Sequence, residues 1–162
     1  YLPNDGMFFN RAIAHNGFLQ QLLSLTPEEI QESQTARLQL IKEELLTTTS
    51  AFEAFIGATP EPQDRSIQAI QTLAELYLLQ VGDQRISTGN LNVSTCEAVL
   101  GLISRELDKG RRTFDQYSDA FYQRYQKPGN HPLETKLLAL EAEWRKKWEH
   151  CTASQPRQLE VP

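Results

Sequence analysis

The stretch Ser94–Lys127, STCEAVLGLISRELDKGRRTFDQYSDAFYQRYQK, decides the fold. Cys96, Leu100, Ile103, Leu107, Gly110, Phe114, Tyr117 and Phe121 follow one another at spacings of four and three. That pattern holds one narrow face toward a neighbouring helix over roughly seven turns. Ser94 and Glu97 form an S-x-x-E capping box that marks the start. The seam is aliphatic before Gly110 and aromatic after it. Gly110 occupies a seam position with no side chain to pack, so either a neighbour crosses closely there or the helix bends. On this reading residues 96–107 hold a bundle together, while 111–127 both packs and faces a partner.

Working outward, the breaker cluster Lys127-Pro128-Gly129-Asn130-His131-Pro132 ends this helix. Pro132 opens a last helix with the stripe Leu133, Leu137, Leu140, Trp144 and Trp148, and a polar tail follows from Thr152. On the other side, Ile86 and Thr88 alternate before Gly89-Asn90, and Leu91 and Val93 after it. That pattern suits a small β-hairpin at 85–93, weighed against an irregular loop.

Further upstream, Asp64 caps a helix to about Val81 with Ile67, Ile70, Ala74, Tyr77 and Val81 on one stripe. Leu73, Leu76, Leu78 and Leu79 spread apolar surface round its second half, the mark of a central, buried helix. Pro60 and Pro62 make Ala58–Gln63 a connector. Thr26-Pro27-Glu28-Glu29 starts a helix that could run to Ile56 and stop at Gly57. Its seam is Leu38, Ile41, Leu45, Thr48, Phe52 and Phe55, with a kink or break expected at Thr47–Ser50. A first helix to about Leu25 carries Phe8, Phe9, Ala12, Ile13, Leu19, Leu22 and Leu23 on a broad apolar face. Gly17 inside it costs about 1 kcal/mol relative to Ala, so the helix is weak there or a neighbour crosses closely. The expectation is therefore an all-α, mostly antiparallel bundle of about five helices, one domain over 1–151 with a tail at 152–162.

Composition sets limits on function. The apolar fraction of 40% and charged fraction of 23% belong to a folded globular chain. No run of 18 uncharged apolar residues occurs, so no membrane span is expected, and no leader with a cleavage site is visible. The chain opens at Tyr1 and reads as trimmed or as a segment of a longer polypeptide. Residues 1–104 hold five cations against twelve acids, a net of −7, whereas 105–150 hold ten against eight, a net of +2. Any polyanion contact would be local to that second region.

Sites for chemistry are scarce. There is no Gly-rich phosphate loop, no G-x-S-x-G, no Glu-x-x-His and no histidine pair one turn apart. No catalytic set, cofactor or metal is expected. His15 reads as a core-edge histidine, and Glu28-Glu29 and Glu43-Glu44 as a helix-start pair and a solvated face. Cys96 and Cys151 could pair, but a seam position and a helix end read as a small buried hydrophobe and an incidental thiol, which suits a reducing, cytoplasmic setting.

What remains is two basic-aromatic patches, for which the simplest reading is core aromatics with a solvated charged rim and the others are a protein interface or a nucleic-acid surface. Arg111, Arg112, Arg124 and Lys127 accompany Tyr122 and Tyr125, and Trp144-Arg145-Lys146-Lys147-Trp148 closes the last helix. These residue types anchor protein interfaces. They also serve single-stranded nucleic acid, with charges along phosphates and rings under bases. The sequence thus points to a non-catalytic assembly or adaptor module acting as a subunit of a larger complex, with a protein partner or a second copy. The alternative is a small subunit of a ribonucleoprotein that holds single-stranded DNA or RNA through 111–127 and 144–148.

Overall fold

A computed structural model of the chain describes residues 4–24, 34–81, 93–121 and 132–154. Among these the regular structure is five helices, α1 (Asn4–Ser24), α2 (Gln34–Ala58), α3 (Asp64–Val81), α4 (Val93–Phe121) and α5 (Glu134–Ser154). The all-α bundle is as the spacing predicts. The hairpin expected at 85–93 falls on residues outside the described ones, apart from Val93, which is already helical. The helix start expected at Thr26–Glu29 lies outside them too. The chain packs as two compact units, residues 1–59 and 60–162.

In the first unit α1 and α2 run antiparallel. Phe9 meets Phe55 edge-on with ring centroids 5.1 Å apart, His15 Nδ1 donates to Glu44 Oε1 at 2.9 Å, and Arg37 Nη2 donates to the Leu22 carbonyl at 3.4 Å. Phe9, Ala12, Leu19 and Leu22 form the buried face of α1, with Phe8 and Leu23 half-buried. Ile13, expected on that face, is exposed. It stands about 100° round the helix from its neighbour Ala12 and so turns outward. The α2 seam at Ile41, Leu45, Thr48, Phe52 and Phe55 is buried as its spacing predicts, whereas Leu38, also expected on it, is half-buried.

The expected break at Thr47–Ser50 does not occur. Thr47 and Thr49 hydroxyls donate to the carbonyls of Glu43 and Leu45, four residues back, so they occupy their polar groups without leaving the helix. Nor does the helix stop at Gly57. It runs to Ala58 and is closed by Thr59, whose backbone N–H and hydroxyl both reach the Phe55 carbonyl, at 3.1 and 2.7 Å.

In the second unit α3, α4 and α5 alternate in direction. Arg111 in the second half of α4 pairs with Glu134 at the start of α5, so these two are antiparallel. The first residue of α3, Asp64, pairs with Lys136 near the start of α5, so α3 and α5 point the same way. The start of α3 is set by a reach-back bond from the Gln63 N–H to Ser66 Oγ at 3.1 Å. Asp64 is its exposed first helical residue rather than its cap.

α4 is continuous across Gly110, so the helix does not break at that position. Gly110 is buried and lines a cleft too narrow for a water molecule, together with Pro62, Leu107, Arg111, Glu134 and Leu137. The buried arc of α4 is also wider than one seam. Cys96, Ile103, Leu107 and Phe114 are buried as expected, but so are Thr95, Val99, Leu102 and Glu106, while Leu100 is only half-buried. Two neighbours explain the extra width, since α4 packs closely against both α3 and α5.

Candidate functional site

Because α3 and α5 each pack on α4, their own mutual approach decides what surface is left between them. Among the described residues they make few close contacts with one another, and an open groove of about 410 Å³ lies along their shared side. α3 contributes Gln71, Ala74, Glu75 and Leu78, which recur at three- and four-residue spacing and so fall on one face. α5 contributes Glu143, Trp144 and Lys147 by the same rule.

The groove has an apolar floor and a charged rim. Ala74, Leu78 and the Trp144 ring supply the floor. Trp144 is itself only 5% exposed, and its indole N–H is buried without a hydrogen-bond partner among the described residues. At the rim, Lys147 Nζ lies 4.2 Å from the Trp144 ring centroid and 3.7 Å from Glu143 Oε2. The lysine ammonium therefore sits over the ring face while a carboxylate one turn back balances the charge. Glu75 stands exposed on the opposite wall. Two carboxylates against one ammonium leave the rim acidic.

Of the residues singled out in the two basic-aromatic patches, the described ones are Arg111 and Arg112 on α4 and Arg145, Lys146 and Lys147 on α5. Arg111 Nε bonds Glu134 Oε1 at 3.0 Å at the start of α5, and Arg112 Nε donates to the Asp108 carbonyl at 3.4 Å. Arg145 lies eleven residues beyond Glu134, about 16 Å further along the axis. Its Nε is 3.9 Å from Glu141 Oε1, and Lys146 is exposed beside it. Tyr122, Arg124, Tyr125 and Lys127 lie outside the described residues.

Two features depart from what the sequence predicts. Glu44, expected on a solvated acidic face, is half-buried and ties α2 to His15 of α1, whereas Glu43 is exposed and accepts from Gln39. Glu106 is fully buried in α4, with Lys109 Nζ 2.9 Å from its Oε2 in an ion-pair contact that lacks hydrogen-bond alignment. Its spacing from Val99 and Leu102 was the available signal, and a charged residue on that line reads as a solvent-facing flank. No group of three or more metal-ligating side chains occurs among the described residues, and no described helix is long and apolar enough to cross a membrane.

The chain matches no protein-family model, no curated protein and no solved structure.

Proposed function

We propose that this chain is a helical assembly module, working in the cytoplasm as a subunit of a larger complex, and that the α3–α5 groove receives a helix from a partner protein. One observation carries the reading. α3 and α5 both pack on α4 yet stand apart from each other, leaving an apolar floor that a further helix would cover. A helix in a groove buries its apolar stripe and places flanking charges at the rim. The occupant that fits here has an aliphatic or aromatic anchor for the Ala74–Leu78–Trp144 floor, with lysine or arginine beside it for Glu75 and Glu143.

The same details weigh against single-stranded nucleic acid as the occupant. A base needs an open ring face, and Trp144 is buried with Lys147 over it. Arg111, Arg145 and Lys147 each lie beside a carboxylate, which reduces the positive field that a phosphate chain would meet.

Glu75→Lys provides the test, since Glu75 is an exposed rim residue and its reversal repels a basic flank without entering the core. The wild-type chain is expected to form a complex of fixed stoichiometry by light scattering with its co-purifying protein, and Glu75→Lys is expected to weaken it several-fold. A labelled single-stranded oligonucleotide, measured at two salt concentrations, should bind neither form appreciably. Salt-sensitive oligonucleotide binding that is abolished by charge reversal at Arg111, Arg112, Lys146 and Lys147 would establish the alternative instead.

A further inference from the structure

The helix register brings the chain's two cysteines together. Arg111 and Glu134 fix how α4 lies against α5. Cys96 lies fifteen residues before Arg111, about 22 Å down α4, and Cys151 lies seventeen residues after Glu134, about 26 Å down α5 in the opposite direction. The two therefore stand at nearly the same height, one in the first turns of α4 and the other in the last turn of α5. Both are buried and neither is in a disulfide. Cys151, which the sequence suggested was an incidental thiol at a helix end, continues the buried stripe of Leu137, Leu140 and Trp144 and lies within hydrogen-bonding reach of Cys96. Facing Cα atoms of helices packed 8–10 Å apart come about 3.5–5.5 Å from each other, which overlaps the separation a disulfide needs.

We infer that Cys96 and Cys151 are a disulfide-forming pair, a modification site at which a small peroxide staples the start of α4 to the end of α5. Exposure assigns the order. Cys151 is 6% exposed and sits in a terminal turn, whereas Cys96 is fully enclosed. Burial, with Cys151 alongside, pushes the Cys96 thiol up to about 11, so it is held protonated and waits as the second partner. Cys151 gives up its proton and its sulfur attacks one peroxide oxygen. The O–O bond breaks, a sulfenic acid forms, and the departing hydroxide takes a proton and leaves as water. Cys96 sulfur then attacks the sulfenic sulfur. The S–O bond breaks, and the hydroxyl leaves with the Cys96 proton as a second water. Two thiols are oxidised by two electrons to one disulfide, and one peroxide is reduced to two waters. A dithiol reductant reverses the link. This inference is independent of what occupies the α3–α5 groove.

The experiment treats the full chain with hydrogen peroxide in small molar excess and reads intact mass, a peptide map and thermal melting. The expected product is a monomer lighter by two hydrogens, with the Cys96 and Cys151 peptides joined. Its melting temperature should be roughly 10 °C above the reduced form, and reductant should return it. Cys96→Ala and Cys151→Ala should each prevent the link and the rise in melting temperature. Any of four results overturns the inference: both thiols left unreacted, sulfinic acid at Cys151 without a link, dimers joined through Cys151, or a joined monomer that melts no higher than the reduced chain.

Discussion

Lys147 lies over the ring of Trp144, with Nζ 4.2 Å from the centroid, and so covers the residue that forms the groove floor. Removing the cover tests what it does. Lys147→Ala is expected to cost about 0.5 kcal/mol, the value of a cation–π contact shared with solvent. It should also red-shift Trp144 emission and make it easier to quench with acrylamide. Trp148→Phe as background isolates the Trp144 signal. Unchanged emission would mean the lysine does not shield the ring.

Glu106 and Lys109 form the second testable pair. A fully buried carboxylate with the Lys109 ammonium 2.9 Å away depends on that neighbour. Lys109→Ala should therefore destabilise the chain by about 2–3 kcal/mol in urea unfolding, since it leaves the charge buried without its pair. Glu106→Leu, by contrast, should be neutral or stabilising because it removes the charge itself. Equal losses in both variants would show that Glu106 is held by more than the ion pair.

Gly17 gives a prediction of the opposite sign. A Cβ at this position meets nothing within 4 Å among the described residues, so its packing partner α2 does not need the glycine. Gly17→Ala should stabilise the protein by about 0.5–1 kcal/mol through helix propensity alone. The residue lies on the outer face of α1 among the exposed side chains of Met7, Ile13 and Phe18. If urea unfolding instead shows a loss, something other than the described helices packs against that notch.

Cys96 makes stability depend on pH in a defined window. Burial first, and Cys151 second, raise its thiol from the usual 9.0 to about 11. Between those values the unfolded chain has released the proton and the folded chain still holds it, so stability falls as pH rises. The contribution is complete below about pH 9 and lost toward about pH 11. Melting curves of the reduced wild type should fall relative to Cys96→Ala across that interval, and run parallel to it below. A constant offset throughout would place the raised thiol elsewhere.

How much of this was legible in the sequence follows from what each element rests on. Leu137, Leu140 and Trp144 declare themselves because a single helical stripe needs only its own spacing, and Ile41 through Phe55 do the same. Connectors built on Pro60 and Pro62 are equally local. Glu106 was hidden because polarity is the cue for an outer face, and only a second packed neighbour on α4 overrides it. Glu44 was hidden likewise, its partner His15 lying on another helix. Cys151 fell one turn past the last aromatic of its stripe, so its spacing was visible but its meaning depended on the α4–α5 register. The groove could not be read at all. It is formed by Ala74 and Leu78 of one helix and Trp144 of another, and it exists because those helices do not close.

The central claim is that a partner helix seats between α3 and α5, and photo-cross-linking from position 78 tests it most directly. Leu78 lines the groove, whereas Leu138 of α5 is exposed elsewhere and serves as the reference position. A benzoylphenylalanine at 78 should join one protein segment that carries an apolar anchor flanked by lysine or arginine. The same probe at 138 should not capture that segment, and Glu75→Lys should weaken the adduct several-fold. Adducts at 78 confined to nucleic acid, or no adduct from a chain that remains a monomer without a stoichiometric companion, would contradict the account.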